Sequence, residues 1–235
     1  MLEELISSGA GTLGLTLPEG ALARFRTYYE LLTARNKEFN LTAIKGEEDA
    51  AKLHFLDCLG ILKEFDFTGK RFIDVGTGGG FPGMVLAIAA PYTEAVLMDA
   101  TEKKINFLWE VSDALELDVD CVHGRAEELG ADGEWRESFD VAVSRAVARL
   151  NVLCELALPF VKVGGTFIAM KAADSDEEID EAKSAIKALG GKITRVAEYT
   201  VPGTDIVRRA VIINKIAPTA AKYPRRYAKI QKSPL

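Results

Sequence analysis

Residues 71–90 read Arg71-Phe-Ile-Asp-Val-Gly-Thr-Gly-Gly-Gly-Phe-Pro-Gly-Met-Val-Leu-Ala-Ile-Ala-Ala90. Phe72 to Val75 form a short buried strand, the glycines a tight turn, and the apolar run after Pro82 a helix. Gly76, Gly78 and Gly80 let the backbone approach a ligand with no Cβ in the way. Pro82 suits the first helical turn, where a missing N–H costs nothing. The helix N-terminus then offers N–H groups and partial positive charge to an anionic or carboxylate group.

Asp74, two residues before Gly76, separates two readings of such a turn. A loop that cradles a dinucleotide pyrophosphate has no use for a carboxylate beside the phosphates. A loop that holds S-adenosylmethionine does, because that ligand carries an ammonium, a sulfonium and no phosphate.

The same strand–helix alternation continues beyond the loop. Strands are expected at 95–98, 119–122, 140–144 and 166–170, and helices at about 102–115, 150–161 and 175–189. Two longer strands, 193–200 and 206–214, flank the hairpin signal Pro202-Gly203. The pattern predicts an α/β fold: a doubly wound, seven-stranded, mostly parallel sheet with an antiparallel strand at or next to one edge. Ahead of it, residues 2–8 read as a short helix ended by Ser7-Ser-Gly-Ala-Gly11, and Pro18 opens a helix to about Glu38 with Leu22, Phe25, Tyr29 and Leu32 at helical spacing. Two further helical pieces follow, 47–53 and 54–63. The organisation expected is a helical cap (1–66), the α/β domain (67–215) and a basic tail (216–235).

With 48% hydrophobic residues and 8 prolines in 235, the chain is a compact globular protein. Cys58, Cys121 and Cys154 are odd in number and lie in apolar surroundings, as reduced core thiols of a cytoplasmic protein do. With only His54 and His123 and no ligand spacing, no metal site is expected. The acidic start Met1-Leu-Glu-Glu lacks the basic region of a signal peptide, and no apolar run is long enough to span a bilayer, so no membrane partner is expected. The net charge of −6 is unevenly spread. From Arg208 to Leu235 there are eight bases and no acids, leaving 21 bases against 35 acids elsewhere. This asymmetry fits either a localised polyanion contact or a solubilising tail.

In doubly wound sheets, ligands lie beyond the carboxyl ends of the strands. Asp99, 23 residues past Gly76, stands where an acid accepts the ribose hydroxyls of an adenosine, or where it caps the helix that follows. Ala126 and Glu127 are placed to meet an adenine ring or to favour a helix start. Arg145 follows the fourth strand, where it either orients the cofactor, meets the acceptor, or is a surface residue; Lys171 follows the fifth. Methyl transfer from a sulfonium mainly needs alignment and exclusion of water. Ser144-Arg-Ala-Val replaces the Asn/Asp-Pro-Pro-aromatic loop of exocyclic-amine methylation, and Cys154 sits in an apolar helix rather than as a nucleophile. A ring nitrogen such as guanine N7 needs no base, and none is evident.

Taken together, Asn40-Leu-Thr-Ala-Ile, His54-Phe-Leu-Asp-Cys-Leu, Phe72-Ile-Asp-Val-Gly-Thr-Gly-Gly-Gly-Phe-Pro-Gly, Asp99-Ala-Thr-Glu-Lys-Lys, Gly124-Arg-Ala-Glu-Glu, Ser144-Arg-Ala, Gly164-Gly and Lys222-Tyr-Pro-Arg-Arg are similar to motifs of one family. From about Leu22 to Leu235 the chain resembles the bacterial small-subunit ribosomal RNA methyltransferase G family, also called glucose-inhibited division protein B. Cys58 stands where that family usually has serine, and Ala172 where glycine is common. The resemblance implies a class I, Rossmann-like S-adenosylmethionine-dependent fold. It also implies methylation of guanine N7 in the decoding region of 16S rRNA, by a cytoplasmic monomer acting on the RNA or the assembled small subunit. By position it implies cofactor contacts at Gly76, Gly78, Phe81, Asp99, Ala100, Thr101, Ala126, Glu127 and Arg145. Asn40, His54, Asp57 and Arg145 are its acceptor-side candidates, with a structural role for His54 as the alternative. The tail bases Lys222, Arg225, Arg226, Lys229 and Lys232, interleaved with Tyr223 and Tyr227, suit phosphate contacts and base stacking. Against this stand a methyltransferase for a small molecule or protein, a non-catalytic ribosome-binding module and, more distantly, a nicotinamide dehydrogenase.

Overall fold

The computed structural model describes residues 1–90 and 92–235. Seven strands form one sheet in the order β3-β2-β1-β4-β5-β7-β6. They are β1 (Arg71–Val75), β2 (Glu94–Asp99), β3 (Val119–His123), β4 (Phe139–Arg145), β5 (Val161–Ala172), β6 (Gly191–Thr200) and β7 (Val207–Lys215). The first five run parallel, and β7 runs antiparallel to both its neighbours, β5 and β6, so the reversed strand lies next to the edge. The order turns back between β1 and β4, and that switch point opens the crevice at their carboxyl ends. The buried Ser144 hydroxyl donates to the Val75 carbonyl at 2.8 Å and ties the two strands together there.

Helices cover both faces. The helices α1 (Leu2–Thr12), α2 (Ala21–Asn36), α5 (Gly83–Ala89) and α6 (Glu102–Ala114) share one apolar core with residues from all seven strands. The opposite core is built on α8 (Leu150–Ala157), α9 (Asp176–Ala188) and the last helix, α10 (Tyr227–Lys232). Among the described residues, no helix is long and apolar enough to cross a membrane.

Several elements differ from the sequence expectation for identifiable reasons. α1 continues through the Ser-Ser-Gly-Ala-Gly run that was expected to end it. Gly9 lies so close to the Leu56 side chain that a Cβ there would stand 2.5 Å from it, so packing outweighs glycine's poor helix propensity. α2 starts at Ala21, behind Gly20 at φ 77°, and buries Ala21, Phe25, Tyr28 and Leu32 rather than the Leu22/Tyr29 stripe. The two helical pieces expected over 47–63 are one run: α3 (Glu47–Ala50), a π-helical turn (Ala51–Leu56), α4 (Asp57–Leu59) and a 3-10 turn (Gly60–Lys63). β5 is longer than expected because Val161 already pairs with Phe139 across a bulge.

The C-terminal segment is docked, not free. The Arg136 guanidinium donates to the carbonyls of Gly130, Thr219, Ala220 and Tyr223 at 2.6–3.3 Å. The Arg225 guanidinium donates three hydrogen bonds to the fully buried Glu155 carboxylate, from Nε to both oxygens and from Nη2 to Oε2, the shortest at 2.6 Å. Ile230 is wholly buried. Lys215 is buried as well, donating to the Leu158 and Val161 carbonyls and pairing with Glu137; burial pulls its pKa down while Glu137 opposes the shift.

Candidate cofactor and acceptor site

One cavity of about 1010 Å³ opens at the switch point and contains most of the expected residues. Gly76, Gly78, Phe81, Asp99, Ala100, Ala126, Glu127, Arg145 and His54 line it; Thr101 and Asn40 do not. Thr101 is the N-cap of α6, and its N–H donates to Asp99 Oδ1 at 2.9 Å. Asn40 is exposed. The neighbouring turn is held instead by Asn36, whose Oδ1 accepts from the Leu41 and Thr42 N–H groups and whose Nδ2 donates to the Thr42 carbonyl.

The glycine loop forms the floor. Gly76 has φ 75°, and a Cβ on it would meet Val147 at 2.6 Å, so both its backbone and its lack of a side chain are used. Asp74 is not in the cavity wall. It lies fully buried beneath the loop, where Oδ2 accepts the Gly83 N–H at 2.7 Å and fixes the start of α5. Burial pushes its pKa up to about 7, against the opposing pull of Thr77, the Gly83 N–H and Arg145. Asp74 therefore shapes the loop from below rather than meeting a ligand ammonium.

Asp99 stands at the mouth of the loop with Oδ2 accepting from the Gly78 N–H at 3.0 Å and Lys104 Nζ at 3.3 Å. It thus ties the glycine loop to the start of α6 while its carboxylate edges the cavity. Past β3, Arg125 Nε donates to Glu127 Oε1 at 2.6 Å and leaves Glu127 about nine-tenths buried. S-adenosylmethionine fits these residues. An acid edges the cavity at the end of β2, and Gly76, Gly78 and Gly79 line its floor, where no side chain stands between the loop backbone and a ligand.

On the other side, Phe81 is stacked between two rings. His54 lies 4.2 Å from it at 9° and Tyr28 lies 5.3 Å from it at 16°. The Tyr28 hydroxyl donates to the Gly79 carbonyl at 2.5 Å, so α2 holds the glycine loop directly. Burial, then the nearby Arg145 charge, lower the His54 pKa to about 3. The ring is neutral, and its Nδ1 accepts from Arg145 Nη2 at 3.2 Å. Its Nε2 therefore carries the proton and donates to Thr42 Oγ1 at 2.7 Å.

Arg145, at the end of β4, also donates from Nη1 to the Leu53 carbonyl and to Asp57 Oδ2, both at 3.1 Å. Burial works against its charge, but neighbours that include Asp57 hold its pKa above the ordinary arginine value. Asp57, only 2% exposed, is shared: Arg208 Nε donates to its Oδ1 at 3.1 Å and its Oδ2 at 3.3 Å. The next residue, Ala146, lines the cavity in the left-handed region (φ 56°), an uncommon backbone for a residue with a Cβ. Lys171 stiffens this turn by donating to the Ala148 carbonyl and to Glu178.

Two cavity residues, Arg208 and Tyr227, were not singled out for this site from the sequence. Arg208 reaches it because β7 folds back on β5, pairing Arg208 with Ala172. Of the eight bases counted from Arg208 onward, Arg208, Arg209, Lys215 and Arg225 have acidic partners. Lys222, Arg226, Lys229 and Lys232 are exposed, and none forms an ion pair among the described residues. Arg225 instead anchors the tail through Glu155. Among the described residues no cluster of His, Cys, Asp or Glu could hold a metal ion. Burial pushes the Cys58 and Cys121 thiols up to about 12 and raises that of Cys154 too.

The family model described as rRNA small subunit methyltransferase G matches residues 21–207. The chain is 43% identical over 235 residues to "Ribosomal RNA small subunit methyltransferase G" of Acetivibrio thermocellus, covering 100% of this chain and 97% of that protein. It is 45% identical over 234 residues to the protein of the same name from Thermoanaerobacter sp., covering 99% and 98%. Solved structures show the fold at low identity. A branched-chain polyamine synthase of Thermus thermophilus matches with a TM-score of 0.59 at 13% identity, over 87% of this chain and 65% of that one. M. jannaschii TYW2 in complex with AdoMet matches at 0.51 and 14%, over 64% and 71%.

Proposed function

The chain belongs to the rRNA small subunit methyltransferase G family of S-adenosylmethionine-dependent enzymes, and from that premise we propose that it methylates N7 of a guanine in the decoding region of 16S rRNA. The observation that carries the choice of acceptor is the state of the acceptor side. Its one carboxylate, Asp57, is occupied by Arg145 and Arg208, and its one imidazole, His54, is neutral with its acceptor nitrogen bonded to Arg145. Among the described residues, neither group on the acceptor side is free to act as a general base, and guanine N7 needs none because its lone pair is already available.

S-adenosylmethionine supplies an activated methyl on sulfur. A lone-pair nitrogen such as N7 would take that methyl with the sulfur as leaving group, so the protein would have no proton to remove. The protein's share is alignment and exclusion of water. Gly76, Gly78 and Asp99 hold the cofactor side, with Ala126 and Glu127 at the adenine end. Phe81, fixed between Tyr28 and His54, separates that side from Arg145 and Arg208 at the acceptor end. Lys222, Arg226, Lys229 and Lys232 hold phosphates outside the cavity.

In this reading the protein is a cytoplasmic monomer that acts on small-subunit RNA, naked or assembled. Incubation with methyl-labelled S-adenosylmethionine and small subunits from cells lacking the enzyme should label one guanine at N7. No label in RNA would refute the reading, and label on an exocyclic amine would refute the argument about the missing base. Light scattering should give the mass of one chain.

A further inference from the structure

Tyr227 opens α10, yet its side chain lines the same cavity as Gly76, Asp99 and Glu127. Arg125 Cζ lies 5.1 Å from the Tyr227 ring centroid, and Arg125 in turn holds Glu127. The Tyr227 hydroxyl is turned to Gln231, whose Nε2 donates to it at 2.8 Å, leaving the ring for the cavity. The segment around Tyr227 is seated by the Arg225–Glu155 pair on one side and by the buried Ile230 on the other. It also carries the exposed Lys222, Arg226, Lys229 and Lys232. Four like charges on so short a segment repel one another until counter-charges approach.

We propose that the C-terminal segment couples the two ligands: Tyr227 closes the adenine end of the cofactor cavity, and RNA phosphates on Lys222, Arg226, Lys229 and Lys232 hold that closure. This rests on the reading of the chain as a small-subunit rRNA methyltransferase. Phosphates relieve this repulsion and so hold α10 on α8, keeping the Tyr227 ring against Arg125, which holds Glu127. Because coupling between two binding sites is reciprocal, the cofactor must tighten RNA binding by the same factor as RNA tightens the cofactor.

The test is calorimetric titration of S-adenosylhomocysteine into the full-length protein, with and without a transcribed small-subunit rRNA fragment. RNA should tighten cofactor binding about fivefold or more. Tyr227→Ala should weaken cofactor binding and remove the enhancement, and Tyr227→Phe should restore both. Replacing Lys222, Arg226, Lys229 and Lys232 together by serine should also abolish the enhancement. Equal cofactor affinity with and without bound RNA, or wild-type affinity in a folded Tyr227→Ala, overturns the proposal. Should Tyr227→Ala not fold, the serine variant decides, and retained enhancement there overturns it. RNA that binds but does not change cofactor affinity removes the coupling alone. RNA that neither binds nor accepts a methyl group removes the functional reading as well.

Discussion

His54 lies flat against Phe81, with ring centroids 4.2 Å apart and planes 9° from parallel. The same imidazole accepts from Arg145 and donates to Thr42, so three segments distant in sequence meet on one ring. His54→Ala should destabilise the protein by about 2–3 kcal/mol, as loss of a buried, stacked and hydrogen-bonded ring does. Urea unfolding measures this. With its pKa near 3, His54 should add no limb to the rate profile between about pH 5 and 8. A limb at about pH 6–7 that vanishes in the variant would contradict the neutral assignment.

Asp57→Asn keeps the shape of the side chain and removes the charge that Arg145 and Arg208 share. Breaking a buried pair leaves uncompensated charge, and the expected loss is about 2–4 kcal/mol, discounted because Arg208 keeps some solvent contact. Methyl transfer should fall as both arginines lose their common anchor. A variant of wild-type stability and activity would show that the two guanidinium groups are placed by other contacts.

Asp74 and His54 pull stability in opposite directions with pH. The folded pKa of Asp74 is raised to about 7, so the native state binds the extra proton, and this group lowers stability as pH rises from about 4 to 7. The folded pKa of His54 is depressed to about 3, so the unfolded state binds the extra proton, and stability falls as pH drops below about 6.5. Asp74→Asn removes the first effect. Its stability relative to wild type should improve by up to about 1.4 kcal/mol per pH unit between about pH 4 and 7. A difference independent of pH would show that Asp74 is ionised throughout.

Arg225 and Glu155 test the docking of the tail. Arg225→Ala leaves the wholly buried Glu155 without its partner and should cost about 3–5 kcal/mol. Combining it with Glu155→Gln should recover part of that loss, and the double-mutant cycle measures how much belongs to the pair. Simple additivity would mean that the two side chains act independently.

Salt dependence tests the exposed bases. If Lys222, Arg226, Lys229 and Lys232 each meet a phosphate, log Kd against log salt should carry a slope of about 3 from them on single-stranded RNA. Each single replacement by alanine should lower the slope by about 0.7. Arg225→Ala should leave it unchanged as long as the tail stays docked. A slope insensitive to all four replacements would place the phosphate contacts elsewhere.

The sheet, the glycine loop and the Asp99 position were legible in the sequence because each depends on local pattern: alternation, turn residues and the residue just past a strand. What was hidden depends on register and packing. Arg208 enters the site only because β7 pairs antiparallel with β5. The π-helical turn over Ala51–Leu56 brings His54, the Leu53 carbonyl and Asp57 to Arg145, and no propensity marks such a turn in advance. The basic tail read as a row of free charges, yet Arg225 and Lys215 are neutralised by Glu155 and Glu137, acids in earlier segments. Asp74 was expected on the ligand side of the loop and lies on its underside, because which side a carboxylate takes at a strand end is decided by the N–H groups around it.

The Arg136 cradle and the Arg225–Glu155 pair also bear on how the chain matures. Arg136, Glu137 and Glu155 are made 70–87 residues ahead of the C-terminal groups that satisfy them. Until the C-terminal segment emerges, a nascent chain carries a carboxylate inside an apolar helix packing with nothing to balance it. The segment past β7 thus acts as a latch, and a chain cut after Lys215 would remain open to proteolysis even with its sheet complete.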